Sequence, residues 1–249
     1  MESKFLDVHA HLSDNIFDTR LLDLVHQLKD SYLVLNSGEN LEQNAKILNC
    51  AKTYDFILPC IGLHPNEIAR MQHEEAESEF RYISENIRKS FAVSEIGLDY
   101  KGKDIYQMEQ EREFLHKIMD VAEKNNKVCI LHSRKALEDI FDALSSFNIK
   151  AVIHNFEGNL RQLGIAQDKG IGISISTGFM RFKRENIVKN VDINCLFTET
   201  DSPVLSPDDD VNTPLNLPKL LNYIAGIKGI DMEELKSAVY SNFKRVFYD

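Results

Sequence analysis

Short apolar runs alternate along this chain with stretches whose apolar residues recur at helical spacing. The first run, Phe5-Leu6, leads into Asp7-Val8-His9-Ala10-His11 and reads as the end of a strand. Leu21, Leu22, Leu24, Val25 and Leu28 then mark one face of a helix. Further strands are predicted at residues 32–35, 56–61, 91–96, 128–131, 151–153, 171–175 and 195–197. Between them lie helical patterns: Leu41, Ala45, Leu48 and Ala51, then Ala76, Phe80, Ile83 and Ile87. A long one spans residues 106–125 with Phe114, Ile118, Val121 and Ala122 inward. Shorter ones carry Leu137, Ile140, Phe141 and Leu144, and then Leu160 and Leu163.

Strands that are nearly continuous apolar runs, mostly followed by helices, predict parallel β-α units with both sheet faces covered. A single (β/α)₈ barrel, the TIM-barrel fold, fits the 249 residues. A doubly wound open sheet is the structural alternative. No G-x-G-x-x-G follows the first strand, which counts against it. One domain over residues 1–249 is expected. Its C-terminal helices, from about residue 216, carry Leu217, Leu220, Leu221 and Ile224, an Asp231/Glu234 capping box, and an apolar end at residues 243–247 that packs on the barrel.

Composition narrows the function. A net charge of −10 excludes a stoichiometric DNA coater, although bound cations would still allow a nuclease. No apolar run is long enough to cross a bilayer, and no signal peptide is visible at the start. Cys50, Cys60, Cys129 and Cys195 are scattered, and they read as small buried hydrophobes in a reducing cytoplasm. Nothing calls for an obligate protein partner.

Side chains on a strand alternate faces, so His9 and His11 point the same way, with Cα atoms about 7 Å apart. Two imidazoles so placed can share a divalent cation. Other residues with metal-ligand chemistry sit at later strand ends: His64, Glu95, His132, His154 and Asp201. Each has a plain structural alternative, as a turn residue or helix cap. Together they point to a metal site, because buried charges at strand ends are costly unless paired or bound to a metal. In a barrel these ends converge on one face. His26, His73 and His116 fall in helical patterns and read as surface residues.

The motifs Asp7-Val8-His9-Ala10-His11-Leu12, Gly62-Leu63-His64-Pro65 and Glu95-Ile96-Gly97-Leu98-Asp99-Tyr100 appear first. His132-Ser133-Arg134, His154-Asn155-Phe156-Glu157-Gly158 and Glu199-Thr200-Asp201-Ser202-Pro203 follow. In this order they resemble the successive motifs of the TatD family of metal-dependent deoxyribonucleases. Ser241-Asn242-Phe243 onward is similar to that family's closing helix. The resemblance implies two divalent ions (zinc, magnesium or manganese). His9, His11 and Asp201 would hold one, His132 and His154 the other, with Glu95 as bridge. It also implies catalytic roles for Asp201, as proton acceptor, and Glu95. His64 and Arg134 would face the substrate, DNA.

The chain departs from the family pattern at three places. Ser13 stands where an acidic residue is common. Asn155 and Glu157 replace a Cys and a Ser. The basic stretch expected after Asp-Ser-Pro is reduced to Asp208-Asp209-Asp210-Val211-Asn212-Thr213-Pro214. An acidic loop near the mouth would repel a phosphate backbone. The alternative substrate is therefore a small ester or amide. A non-catalytic binding barrel is the least supported reading, since it has no use for a charged pocket.

Overall fold

The computed structural model describes residues 3–182 and 184–248 of the chain. The outermost residues of the expected domain, Met1, Glu2 and Asp249, lie outside them. The strands are β1 (Phe5–Ala10), β2 (Tyr32–Ser37), β3 (Ile57–Ile61), β4 (Ala92–Asp99), β5 (Cys129–Arg134), β6 (Ala151–Ile153), β7 (Gly172–Ser176) and β8 (Leu196–Glu199). They form one parallel sheet in sequence order. The seam closes through Thr198 Oγ1, which donates to Leu6 O at 2.7 Å, and Asp201 N, which donates to His9 O at 2.9 Å. This is a (β/α)₈ barrel.

The strands are buried on both faces, which is why their sequences read as apolar runs rather than alternations. The expected helices are present: α1 (Leu21–Leu28), α2 (Leu41–Cys50), α4 (His73–Asn86), α5 (Ile105–Lys124), α6 (Leu137–Ser145) and α7 (Leu160–Asp168). Side chains set their starts. Asp104 and Gln107 form a capping box on α5, as do Asn159 and Gln162 on α7. Three short helices were not anticipated: α3 (Pro65–Ile68), α8 (Phe179–Phe182) and α9 (Glu185–Asn190). At four to six residues they are too short to show a helical period.

The C-terminal pair is α10 (Leu217–Lys228), ended by Gly229 at φ 68°, and α11 (Met232–Phe247), capped by Asp231. Asn242 on α11 donates to Ile193 O and Leu196 O, and Phe247 stacks on Phe91 at 5.6 Å. Lys236 lies over the ring of Phe5. These partners sit at or just before the starts of β8, β4 and β1. Helix α11 therefore crosses the N-terminal end of the barrel and leaves the opposite end free.

Cys60 and Cys129 are buried, and burial pushes both thiols up to about 12. Cys50 and Cys195, by contrast, are only half-buried. No helix among the described residues is long and apolar enough to cross a membrane.

Candidate metal centre

At the C-terminal end of the barrel the polar residues singled out above converge. Strand alternation brings His9 and His11 side by side, with their Nε2 atoms 3.1 Å apart. The β8–β1 seam brings Asp201 to them, its Oδ1 3.5 Å from His11 Nε2 and 3.7 Å from His9 Nε2. Asp201 is held at φ 55°, a left-handed conformation that costs a non-glycine residue about 1–3 kcal/mol. Glu95 projects from β4 into the middle. Its Oε2 lies 3.2 Å from His9 Nε2 and 3.3 Å from His11 Nε2. Its Oε1 lies 2.8 Å from His132 Nδ1 and 2.9 Å from His154 Nε2. Gly97 lets β4 approach β5 closely enough for this, since a Cβ there would lie 2.0 Å from His132 O.

Atoms facing away from Glu95 fix the roles of the rings. His11 Nδ1 lies 3.1 Å from Ser37 O, a carbonyl that can only accept. His11 must therefore carry its proton on Nδ1, leaving the Nε2 lone pair free for a cation. His64 is the opposite case. It caps α3 by accepting from Asn66 N–H at Nδ1, so the neutral ring carries its proton on Nε2, 3.3 Å from Glu95 Oε1. His64 is thus placed as a donor rather than a ligand. Behind His9 stand neutral groups, with Ser37 Oγ 3.1 Å and Ser94 Oγ 3.3 Å from Nδ1. Behind the other pair stand carboxylates: Asp99 Oδ2 is 3.5 Å from His132 Nε2, and Glu199 Oε1 is 3.4 Å from His154 Nδ1.

Burial opposes charge on every one of these groups. On His9, burial and the neighbouring His154 win and hold the ring below its usual range. On His11, hydrogen bonds to Asp201 and Glu95 outweigh burial and hold the ring well above it. His154 is raised against burial by Glu95 and Glu199, and His132 by Asp99 and Glu95. Burial likewise resists ionisation of Glu95, but His64, His154 and His9 hold it well below the usual carboxylate range. Asp201 is lowered against burial by His11 and its neighbours. A buried centre that keeps carboxylates ionised and draws protons onto His11, His132 and His154 favours positive charge.

The residues also fit a metal by spacing. Bonds of about 2.0–2.1 Å at tetrahedral angles put ligand atoms about 3.3 Å apart. His9, His11 and Glu95 offer donor atoms within 4.8 Å of one another, as do His9, His154 and Asp201.

Above the centre opens a cavity of about 720 Å³. Arg134 lines it, with NH1 4.0 Å from Asp99 Oδ2. Glu138, one helical turn further on, faces Arg161 at 3.3 Å. Arg184, also on the wall, was missed in the sequence. It donates to Phe156 O at 2.8 Å and Gly158 O at 2.5 Å. The acidic loop is turned into pairs: Asp208 with Lys219 at 2.6 Å and Asp209 with Arg181 at 3.5 Å, and none of its aspartates lines the cavity. Of the other departures, Asn155 and Glu157 are on the wall, while Ser13 Oγ accepts from Asn36 and braces the turn after β1. His26, His73 and His116 are exposed, as expected.

The family profile described as TatD related DNase matches residues 6–248. The chain belongs to the TatD family. An uncharacterized metal-dependent hydrolase of Methanocaldococcus jannaschii, MJ1582, is 29% identical over 248 residues, covering 98% of this chain and 97% of its own. Human deoxyribonuclease TATDN3 is 29% identical over 259 residues, covering 97% of this chain and 94% of that protein. In fold the chain is similar to YjjV, a TatD homologue of Escherichia coli K12, with a TM-score of 0.89 over all of both chains at 21% identity. This TatD-family protein is a metal-dependent hydrolase that uses divalent metal.

The sequence missed Asp99, Glu199, Arg184 and Ser37. Asp99 and Glu199 were within reach of the rule that paired His9 with His11. Each lies an even number of residues from a proposed ligand, Glu95 and Asp201, near the end of its strand.

Proposed function

We propose that this chain hydrolyses phosphodiester bonds of DNA at a centre of two divalent ions. His9, His11 and Asp201 would hold one ion and His132 and His154 the other, with Glu95 between them. The observation that carries this reading is that Glu95 stands between the two proposed pairs, Oε2 at 3.2–3.3 Å from His9 and His11 and Oε1 at 2.8–2.9 Å from His132 and His154, with the His64 Nε2–H donor 3.3 Å from Oε1. Bound ions would supply Lewis acidity and lower the pKa of a water at the centre. Asp201, kept ionised, is the candidate acceptor of the attacking water's proton. His64 offers its Nε2–H and Arg134 its guanidinium to phosphate oxygens. Four imidazoles lean the donor set toward zinc, with the carboxylates leaving room for manganese or magnesium.

DNA as substrate is supported by the family's description and by the human relative's name. One observation favours the second reading, a small ester or amide. Asp14, Glu39 and Glu157 share the cavity wall with only Arg134 and Arg184 as guanidinium groups among the described residues.

The test is turnover of single- and double-stranded DNA and of a panel of small esters and amides, with metal content measured on the same samples. DNA cleavage, lost together with metal in Glu95→Ala, is the expected outcome. Inert DNA beside rapid ester or amide turnover moves the chain to the second reading. A Glu95→Ala protein that retains two ions and activity removes the bridge.

A further inference from the structure

Single exposed apolar side chains are common on protein surfaces, but neighbouring ones on the wall of a cavity mark a place where a ligand can bind. Phe182 is 63% exposed and lines the cavity above the metal centre. It is the last residue of α8, and the segment around it is fastened on both sides. Arg181 donates to Ser206 O and pairs with Asp209, while Arg184 donates to Phe156 O and Gly158 O. Phe179, at the start of α8, is buried and accepts at its carbonyl from Tyr223 Oη–H. The ring of Phe182 leans on Gly178, where a Cβ would stand 3.1 Å from its Cε2 and 3.3 Å from Leu205 Cδ2. One side is therefore backed and the rest is left to solvent.

The residues beside it continue an apolar shelf. Val204 is 54% exposed, and Leu205 is half-buried against the same glycine. Val204 N–H donates to Asp201 O at 3.0 Å, which ties the shelf by one turn to a proposed ligand of the centre. A planar group on this shelf would thus share one cavity with the proposed ligands His11, Glu95, His132, His154 and Asp201. A second phosphate is a poor occupant, because Glu157, Asp14 and Glu39 share the wall.

We propose that Phe182, backed by Gly178 and Leu205 and flanked by Val204, is a stacking platform for one nucleobase of the strand bound in this cavity. The proposal rests on the DNA reading above. Aromatic stacking tolerates any base, so the platform would grip the strand without reading sequence.

The test uses the metal-loaded enzyme and a single-stranded phosphorothioate oligonucleotide carrying 2-aminopurine, placed at each position in turn. Quenching at one position is expected with wild type, with affinity falling roughly 5- to 150-fold in Phe182→Ala, the range for loss of one stacked base. Phe182→Trp should restore binding. The chain has no tryptophan, so this variant also reports directly, by quenching of its single indole when oligonucleotide binds. Tyr106→Ala removes a comparably exposed aromatic outside the cavity and should change nothing. On cleavable DNA, Phe182→Ala should lower kcat/KM for normal strands but not for strands with an abasic tetrahydrofuran at the quenched position. Equal loss on both substrates, or no loss on either, overturns the platform and leaves the DNA reading standing. Position-specific quenching lost in Phe182→Ala, without DNA cleavage by wild type, keeps the platform and overturns the phosphodiesterase reading.

Discussion

Replacing Glu199 by Gln should weaken one of the two proposed ions and leave the other alone. Glu199 is fully buried, and its Oε1 lies 3.4 Å from His154 Nδ1, on the far side of the ring from Glu95. A carboxylate behind a ligating imidazole fixes its orientation and raises its basicity, and losing such a partner typically costs 10- to 100-fold in metal affinity. That range corresponds to about 1.4–2.7 kcal/mol. The 3.4 Å separation is long for a full hydrogen bond, so the lower end applies, about tenfold. Gln keeps an oxygen for Asn155 N–H, which donates to Glu199 Oε1 at 2.7 Å, so the loop after β6 should hold its place. The assay is titration of the metal-free protein with zinc or manganese in a chelator buffer, read by calorimetry and metal analysis. One binding step should weaken about tenfold while the other stays within about twofold. Asp99→Asn, acting through His132, should weaken the same step. Equal weakening of both steps, or less than about twofold in either, would refute the division of the centre into a carboxylate-backed half and a serine-backed half.

Arg134→Ala should raise KM for DNA more than it lowers kcat, with metal content unchanged, because it removes the proposed charge-assisted contact to phosphate. The expected loss in kcat/KM is about one to two decades, and a change under about twofold removes Arg134 from the substrate site. Asn212→Ala should cost about 2–3 kcal/mol, because Asn212 is fully buried and its Nδ2 donates to Thr200 O and Val204 O at 2.7 Å and contacts Thr177 Oγ1 at 2.9 Å. Thermal melting should fall by about 4–12 °C, and an unchanged melt would show that this loop does not depend on the asparagine.

The barrel was legible because its strands are buried on both faces. Leu131, Ile153 and Ile175 are each fully buried, and apolar runs of that kind mark strands without any help from tertiary context. The convergence of the candidate ligands at one barrel mouth was legible for a related reason, since polar residues at the ends of apolar runs have few cheaper explanations. What stayed hidden depends on partners far away in sequence. Arg184 takes its place from carbonyls 26 and 28 residues earlier, and the short helices around it carry too few residues for a period. The charge of the Asp208–Asp210 loop was read correctly, but its direction was not, because Arg181 and Lys219 turn it outward and only the fold brings them there. His64 shows a finer limit. Its motif could say that it faces the centre, but only the Asn66 N–H at its Nδ1 makes it a donor rather than a ligand.

Closing the barrel and assembling the metal centre are the same event at the β8–β1 seam. Asp7 accepts from Thr200 N at 3.0 Å and from Thr200 Oγ1 at 2.5 Å, across 193 residues of chain. His11 N donates to Ser202 O at 2.7 Å, and Asp201 N to His9 O at 2.9 Å. Each of these bonds joins a residue of the His-x-His segment to one of the Asp201 turn. The donors from the two ends of the chain are therefore set by two backbone bonds and by the Asp7 carboxylate, which limits how far His9 and Asp201 can drift apart while the barrel stays closed. Glu95, at mid-chain on β4, is fixed by a different bond, its N–H donating at 2.7 Å to the carbonyl of Gly38 just after β2. Seam and mid-barrel thus approach the centre from different sides. A change that loosens the seam should disturb the His9–His11–Asp201 half of the centre before it reaches the His132–His154 half, and the order in which the two proposed ions are lost during unfolding would record it.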